Sequence, residues 1–221
     1  IDVLVNNAGS VGARQRLPDI PFTPDEVRPP DGETMSQAAA NLLGITWNLV
    51  RACAPHMPPG GSIADVSTIF SRTDYYGRIP YVVPKAALNA LDQGLARELG
   101  ALGIRLNTAF PGPIDSERIR SVFATMDGLK GLPEGSTAQG FFDVMRLSPP
   151  GPDGAPAKGF PKPIDIANLM VFLGSDESAA FSGHPFEVTH GMDVPAESRT
   201  TFASRPGLRA VDASGRAVLI C

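Results

Sequence analysis

Cysteine is scarce: the 221 residues contain two, Cys53 and Cys221. One falls on the apolar side of an expected helix and the other is the last residue, so they make no disulfide framework, which fits a reducing, cytoplasmic compartment. Histidine is almost as rare, and His56, His184 and His190 share no metal-ligand spacing with other candidates, so no metal site is expected. No apolar run is long enough to span a bilayer, and no targeting segment is visible. Excess positive charge is missing too: a net charge of −4 leaves no electrostatic footprint for nucleic acid. Internal repeats are absent. The single tryptophan, Trp47, and the phenylalanines are read as core.

What the chain has in quantity is punctuation, with 22 Pro and 23 Gly. Ile1-Asp2-Val3-Leu4-Val5 suits a strand buried on both faces of a parallel sheet. It stops at Asn6-Asn7-Ala8-Gly9, where Ala-Gly leaves room for a ligand against the main chain; an ordinary strand-ending turn would look the same. Residues 11–34, broken by Pro18, Pro21, Pro24, Pro29 and Pro30, are expected to form an exposed loop. Apolar residues recur at helical spacing over 36–56 (Leu42, Ile45, Val50, Cys53), with Ser36 as the cap and Pro55 as the stop. Asn41 lies inside that helix although asparagine is a poor helix former, and reads either as solvent-facing or as a point where the helix holds a water.

Residues 62–68 form a second buried strand ending in two hydroxyls, Ser67 and Thr68. They sit at the carboxyl end, where open α/β sheets bind ligands, although strand-ending Ser and Thr are also common turn formers. A helix over 81–100 carries Ala86, Leu88, Leu91, Leu95 and Leu99 on its apolar stripe and stops at Gly100. A third strand, 104–110, ends in Pro111-Gly112-Pro113-Ile114-Asp115-Ser116. Residues 121–160 are Gly- and Pro-rich and read as a lid or loop with a helix around 140–147. A helix at 164–173 and a strand at 186–189 follow. The alternation of strands and helices argues for one α/β domain with a parallel sheet.

Within this frame Tyr81 and Lys85 stand four apart, so a helix puts a phenol beside an ammonium. A tyrosine titrates near ~10 by itself, and a cation close by favours the phenolate, making a usable general acid or base. Pro84 is tolerated only in a first helical turn, which places the pair near the helix start. With three Tyr and four Lys the spacing arises by chance roughly once in twenty such chains. The neighbouring residues therefore decide its meaning.

Asn6-Asn7-Ala8-Gly9, Asn41, Thr68, Tyr81, Lys85 and Pro111-Gly112, in this order and context, resemble the short-chain dehydrogenase/reductase family. The resemblance implies a Rossmann-like doubly wound parallel sheet and a nicotinamide nucleotide, NADPH before NADH. It implies that Asn7, Ala8 and Gly9 line the adenosine side and that Tyr81 donates the proton. Lys85 would bond the nicotinamide ribose and lower the tyrosine pKa. Thr68, thirteen residues before Tyr81, would bind the substrate oxygen, with Ser67 in reserve, and Asn41 would hold a relay water. Past Pro111 and Gly112, the Ile114 backbone would meet the carboxamide and Ser116 the cofactor phosphate.

Val66-Ser67-Thr68-Ile69-Phe70-Ser71-Arg72, Tyr75-Tyr76-Gly77-Arg78-Ile79-Pro80-Tyr81 and Val188-Thr189-His190-Gly191-Met192 extend the likeness over essentially the whole chain. They point to a branch of the family that reduces a small acidic aldehyde, malonate semialdehyde, to 3-hydroxypropionate. A guanidinium suits its carboxylate, and Arg72, Arg78 and Arg118 are candidates. Another carbonyl substrate, such as a 3-oxoacyl thioester, and a non-catalytic structural fragment are the alternatives. The family's first three strands and their glycine-rich turn are absent from this sequence, so the expected sheet is incomplete. Residues 1–196 are read as the carboxyl-terminal part of the domain, with a lid-like insertion at 119–163, a linker at 197–216 and the opening strand of a following module at 217–221. Family members commonly dimerise through the helices near 36–56 and 81–100, so a homodimer and further modules of the same polypeptide are the expected partners.

Overall fold

The computed structural model describes residues 1–9, 20, 22, 34–73 and 78–192, and the backbone of 210–211 and 217–218. Strands β1 (Val3–Asn6), β2 (Ser62–Val66), β3 (Arg105–Pro111) and β4 (Pro185–Val188) form one parallel sheet in the order β1-β2-β3-β4. The register places Asn6 beside Asp65 and Asp65 beside Thr108.

Side chains alternate across a strand, so β2 shows which helix covers which face. Ile63 packs with Val50 of α1 (Met35–Cys53) and Leu99 of α2 (Ile79–Gly100), joined by Met57, Ile104 and Leu106. Ser62 points the other way, and its hydroxyl donates to the Leu173 carbonyl of α5 (Pro163–Gly174) at 2.6 Å. Arg105 adds to the closure of the α5 end by donating to the carbonyls of Leu173, Ser175 and Ser178.

Several details differ from the sequence expectations. The cap of helix α1 is Thr34, two residues before the expected Ser36: its Oγ1 accepts from the Gln37 amide, and the Gln37 side chain accepts from the Thr34 amide. The α-helix ends at Cys53, and Ala54–His56 continues as a 3-10 turn. Trp47 is not core but 52% exposed. The buried line on α1 runs through Ala38, Leu42, Thr46 and Val50, and the residue after Thr46 is turned about 100° away from it. Val3 and Val5 are each 42% exposed, because among the described residues no strand pairs with the outer edge of β1.

The Gly- and Pro-rich segment contains two helices: α3 (Glu117–Lys130), which the sequence reading did not expect, and α4 (Ser136–Val144), which overlaps the helix expected around 140–147 but starts four residues earlier. Helix α3 is capped by Ser116 and ends at Gly131, whose φ of 64° is a left-handed conformation that favours glycine. The 11–34 loop lies almost wholly outside the described residues, as do most of 193–221. Within the latter, β5 (Ala210–Val211) pairs antiparallel with β6 (Ala217–Val218), so part of the expected linker is strand.

Candidate active site

A cavity of about 700 Å³ opens at the carboxyl ends of the strands. Its wall brings together Asn7, Ser67, Thr68, Arg78, Tyr81, Pro111, Gly112, Ile114, Ser116 and Arg118, residues separated by up to 111 positions in sequence. The two hydroxyls after β2 differ in their commitments. Ser67 donates to Asn89 Oδ1 at 2.6 Å, a short bond that ties it to α2. Thr68 Oγ1 accepts from the Phe70 amide at 3.3 Å and has only a long contact, 3.5 Å, to the Pro111 carbonyl. Its proton is therefore the more easily redirected into the cavity.

Tyr81 lies in the first turn of α2, half-buried on the cavity wall. Lys85, one turn on, is set behind that wall: it is 7% exposed and its ammonium donates to the Val66 carbonyl at 2.6 Å. A charge this deep needs compensation. Asp65 of β2 and Asp92 of α2, 0% and 3% exposed, supply it. Burial lowers the Lys85 pKa and the two carboxylates oppose that shift. Burial also raises Asp65, and burial together with the neighbouring Asp65 charge pushes Asp92 up to about 9. Asn6 Nδ2 donates to Asp65 Oδ1 at 2.6 Å and Thr108 Oγ1 donates to Asp92 Oδ2 at 2.7 Å.

This acidic pair was missed in the sequence reading, although a signal was present. Asp65 interrupts an apolar strand, and Asp92 stands between Leu88 and Leu99 on the buried stripe of α2.

Of the three candidate arginines, Arg78 and Arg118 face the cavity, the first buried to 9% and the second exposed. Arg72 does not. Its guanidinium pairs with Glu187 at 2.8 Å and lies 3.9 Å above the Phe110 ring. Asn41 sits exposed in the unbroken α1 and is not on the cavity wall. Ala8 is likewise off the wall, and Gly9 lies against Leu42 and Lys85, to which a Cβ would come within 3.4 and 3.9 Å. Ser116 uses its hydroxyl to accept from the Ile119 amide, so it lines the cavity as the cap of α3.

The insertion is packed onto this site by aromatic rings. Phe70, two residues after Thr68, meets Phe141 of α4 edge-on at 6.0 Å, and Phe141 stacks on Phe123 of α3 at 5.1 Å. Phe160 closes the group against Phe123 and Phe142. The His190 ring bonds the Gly159 carbonyl at 2.8 Å, and the His190 carbonyl accepts from Arg146 and Leu147, tying the far side of the insertion to the turn after β4.

The sequence of this chain matches known proteins in the same sense. A family model described as enoyl-(acyl carrier protein) reductase matches residues 1–139. An uncharacterized NAD-dependent oxidoreductase of Mycobacterium tuberculosis is 32% identical over 86% of the chain, which spans 62% of that relative. The 3-oxoacyl-[acyl-carrier-protein] reductase FabG of Staphylococcus epidermidis is 30% identical over 87% of the chain and 66% of its own length. Among solved structures, the NADP-bound N-domain of a bacterial malonyl-CoA reductase superposes with a TM-score of 0.79 and 54% identity, covering 95% of this chain and 39% of that one. The match over residues 1–139, together with relatives 30% and 32% identical over most of the chain and a shared fold, shows that the chain belongs to the short-chain dehydrogenase/reductase family.

Proposed function

We propose that this chain carries the carbonyl-reducing centre of an NADPH-dependent reductase whose substrate is malonate semialdehyde, reduced to 3-hydroxypropionate as one half of a bifunctional malonyl-CoA reductase. The observation that carries the reading is one cavity wall holding Thr68, Tyr81 and the buried Arg78. The 54% identity to the malonyl-CoA reductase N-domain supports the substrate, and the NADP in that structure supports the cofactor.

The residues present fit the nicotinamide end of such a nucleotide. The cavity has the volume of a small-molecule site. Pro111, Gly112 and Ile114 offer it a main-chain edge, and Ser116 and Arg118 bring hydroxyl and positive charge at the start of α3. When bound, the nucleotide supplies the hydride. Thr68 and Tyr81 point hydroxyl protons at the substrate oxygen, where negative charge builds as the carbonyl is reduced. Tyr81 gives up its proton, and the charged Lys85 one turn away favours the phenolate left behind. Arg78 holds the substrate carboxylate through its forked donors.

The reading is tested with the complete polypeptide by following NADPH oxidation with malonate semialdehyde, an uncharged aldehyde of the same length and a 3-oxoacyl thioester. Malonate semialdehyde should be preferred. Tyr81→Phe should lower kcat by about 10²- to 10⁴-fold with the nucleotide Kd unchanged. Preference for the thioester would favour the kind of reaction named for the FabG relative instead. A second copy of the chain is the proposed partner, docked on the outer faces of α1 and α2, where Trp47 and Val83 are about half exposed.

A further inference from the structure

The acidic pair beneath Lys85 contains an arithmetic problem. Parallel pairing in register lines up Asn6, Asp65 and Thr108 in one row across β1, β2 and β3, and α2 lays Asp92 and Lys85 over that row. Asn6 satisfies one oxygen of Asp65, and Thr108 satisfies one oxygen of Asp92. The other two oxygens, Asp65 Oδ2 and Asp92 Oδ1, are fully buried without a donor. The two carboxyls nevertheless lie within hydrogen-bond reach of each other. Two carboxylates cannot bond each other, since each only accepts, whereas a carboxylic acid and a carboxylate can.

One proton between the two groups gives the pair a donor where both had lacked one. It also balances the charge. Two ionised acids facing one ammonium would leave a buried net charge of minus one; a pair with a single proton leaves none.

We propose that Asp65 and Asp92 hold one proton between them, and that their remaining single negative charge is the buried counter-ion that keeps Lys85 charged beside Tyr81. The two acids are positioning residues: they act on Tyr81 through Lys85 and touch neither substrate nor nucleotide. Among the described residues, the exposed His184 and Arg72 line a small cavity together with Asp92 and Thr108, and Arg72 is already engaged by Glu187 and the Phe110 ring.

The test uses the complete polypeptide and does not depend on which aldehyde it reduces. Infrared spectra of protein labelled with ¹³C-aspartate should show, at pH 7, a protonated-carboxyl stretch that moves on labelling and is lost in Asp92→Asn. Its absence from the wild type would overturn the shared proton. Asp92→Asn keeps a donor toward Asp65 and a single negative charge, so Tyr81 should ionise as in the wild type. The phenolate absorbance difference between each protein and its Tyr81→Phe counterpart measures that ionisation. Asp65→Asn removes the counter-charge, so Lys85 should lose its proton more readily and Tyr81 should ionise at higher pH. A rise of about one pH unit would give a tenfold smaller phenolate fraction at fixed pH. A downward shift, or none, would mean that Lys85 stays charged unaided and would overturn the positioning role. If Asp65→Asn fails to fold, as judged by circular dichroism, the infrared band in the wild type decides the shared proton.

Discussion

At the scale of single residues, charges buried beside the cavity govern how the chain responds to pH. An acid whose folded pKa is raised, as burial and Asp65 raise Asp92 to about 9, keeps a proton that the unfolded chain has released above roughly pH 4. Between those values folding takes up a proton, so stability falls as pH rises. A single group contributes a slope of about 1.4 kcal/mol per pH unit. Urea unfolding midpoints should therefore fall from pH 5 to pH 7, and Asp92→Asn should flatten that fall; parallel curves for both proteins would show that Asp92 ionises freely in the fold. Arg78 makes a separate prediction. If it holds the substrate carboxylate, Arg78→Met should raise KM for malonate semialdehyde about tenfold or more, as befits a lost charged hydrogen bond, and leave an uncharged aldehyde nearly untouched. Equal effects on both would remove it from that role. Tyr81, Lys85 and Thr68 were legible in the sequence because helical spacing and strand-end position are local properties. Asp65 and Asp92 were passed over because an acid within an apolar pattern gives no hint of its partner when that partner is 27 residues away on another element.

At the scale of elements, the insertion holds its shape through one carboxylate. Asp127 of α3, 2% exposed, accepts from the Thr137 hydroxyl and the amides of Thr137 and Gly135, fastening the start of α4. These bonds, that of the Thr137 side chain first, pull its pKa below the usual carboxylate range. A depressed pKa stabilises the fold at pH values above the ordinary one, and the stabilisation is lost as pH falls through the folded value. Hydrogen-exchange protection factors across 133–144 should accordingly drop in acid, below about pH 4, and Asp127→Ala should lower them at neutral pH. Unchanged protection would show that the phenylalanine cluster alone suffices. The sequence did carry boundary signals for α3, namely Ser116 followed by Glu117 at its start and Lys130 before Gly131 at its end. They were outweighed by the density of Gly and Pro around them, and the apolar face that settles the matter, Phe123 against Phe141 and Phe160, pairs only after the chain has folded back.

At the scale of the whole molecule, apolar surface lies open among the described residues at two places that bear on assembly. The exposed valines of β1 adjoin Met170 and Val171 of α5, and the outer face of α1 presents Trp47. Because Trp47 is the sole tryptophan, its fluorescence should blue-shift with rising protein concentration if copies meet on that face, and Trp47→Lys should shift sedimentation toward the monomer. A sedimentation profile unaffected by Trp47→Lys would place the contact elsewhere. By itself the sequence determined the alternation of strands and helices, the strand-end turns and the tyrosine four residues before its lysine, because each follows from propensities and spacings within a few turns of chain. Only the tertiary structure decided that Arg78 faces the cavity while Arg72 turns to Glu187, 115 residues away, and that Asn6, Asp65 and Thr108 stand in one row beneath Lys85. Strand register and helix docking set those distances, and both are fixed by contacts between segments that no local pattern relates.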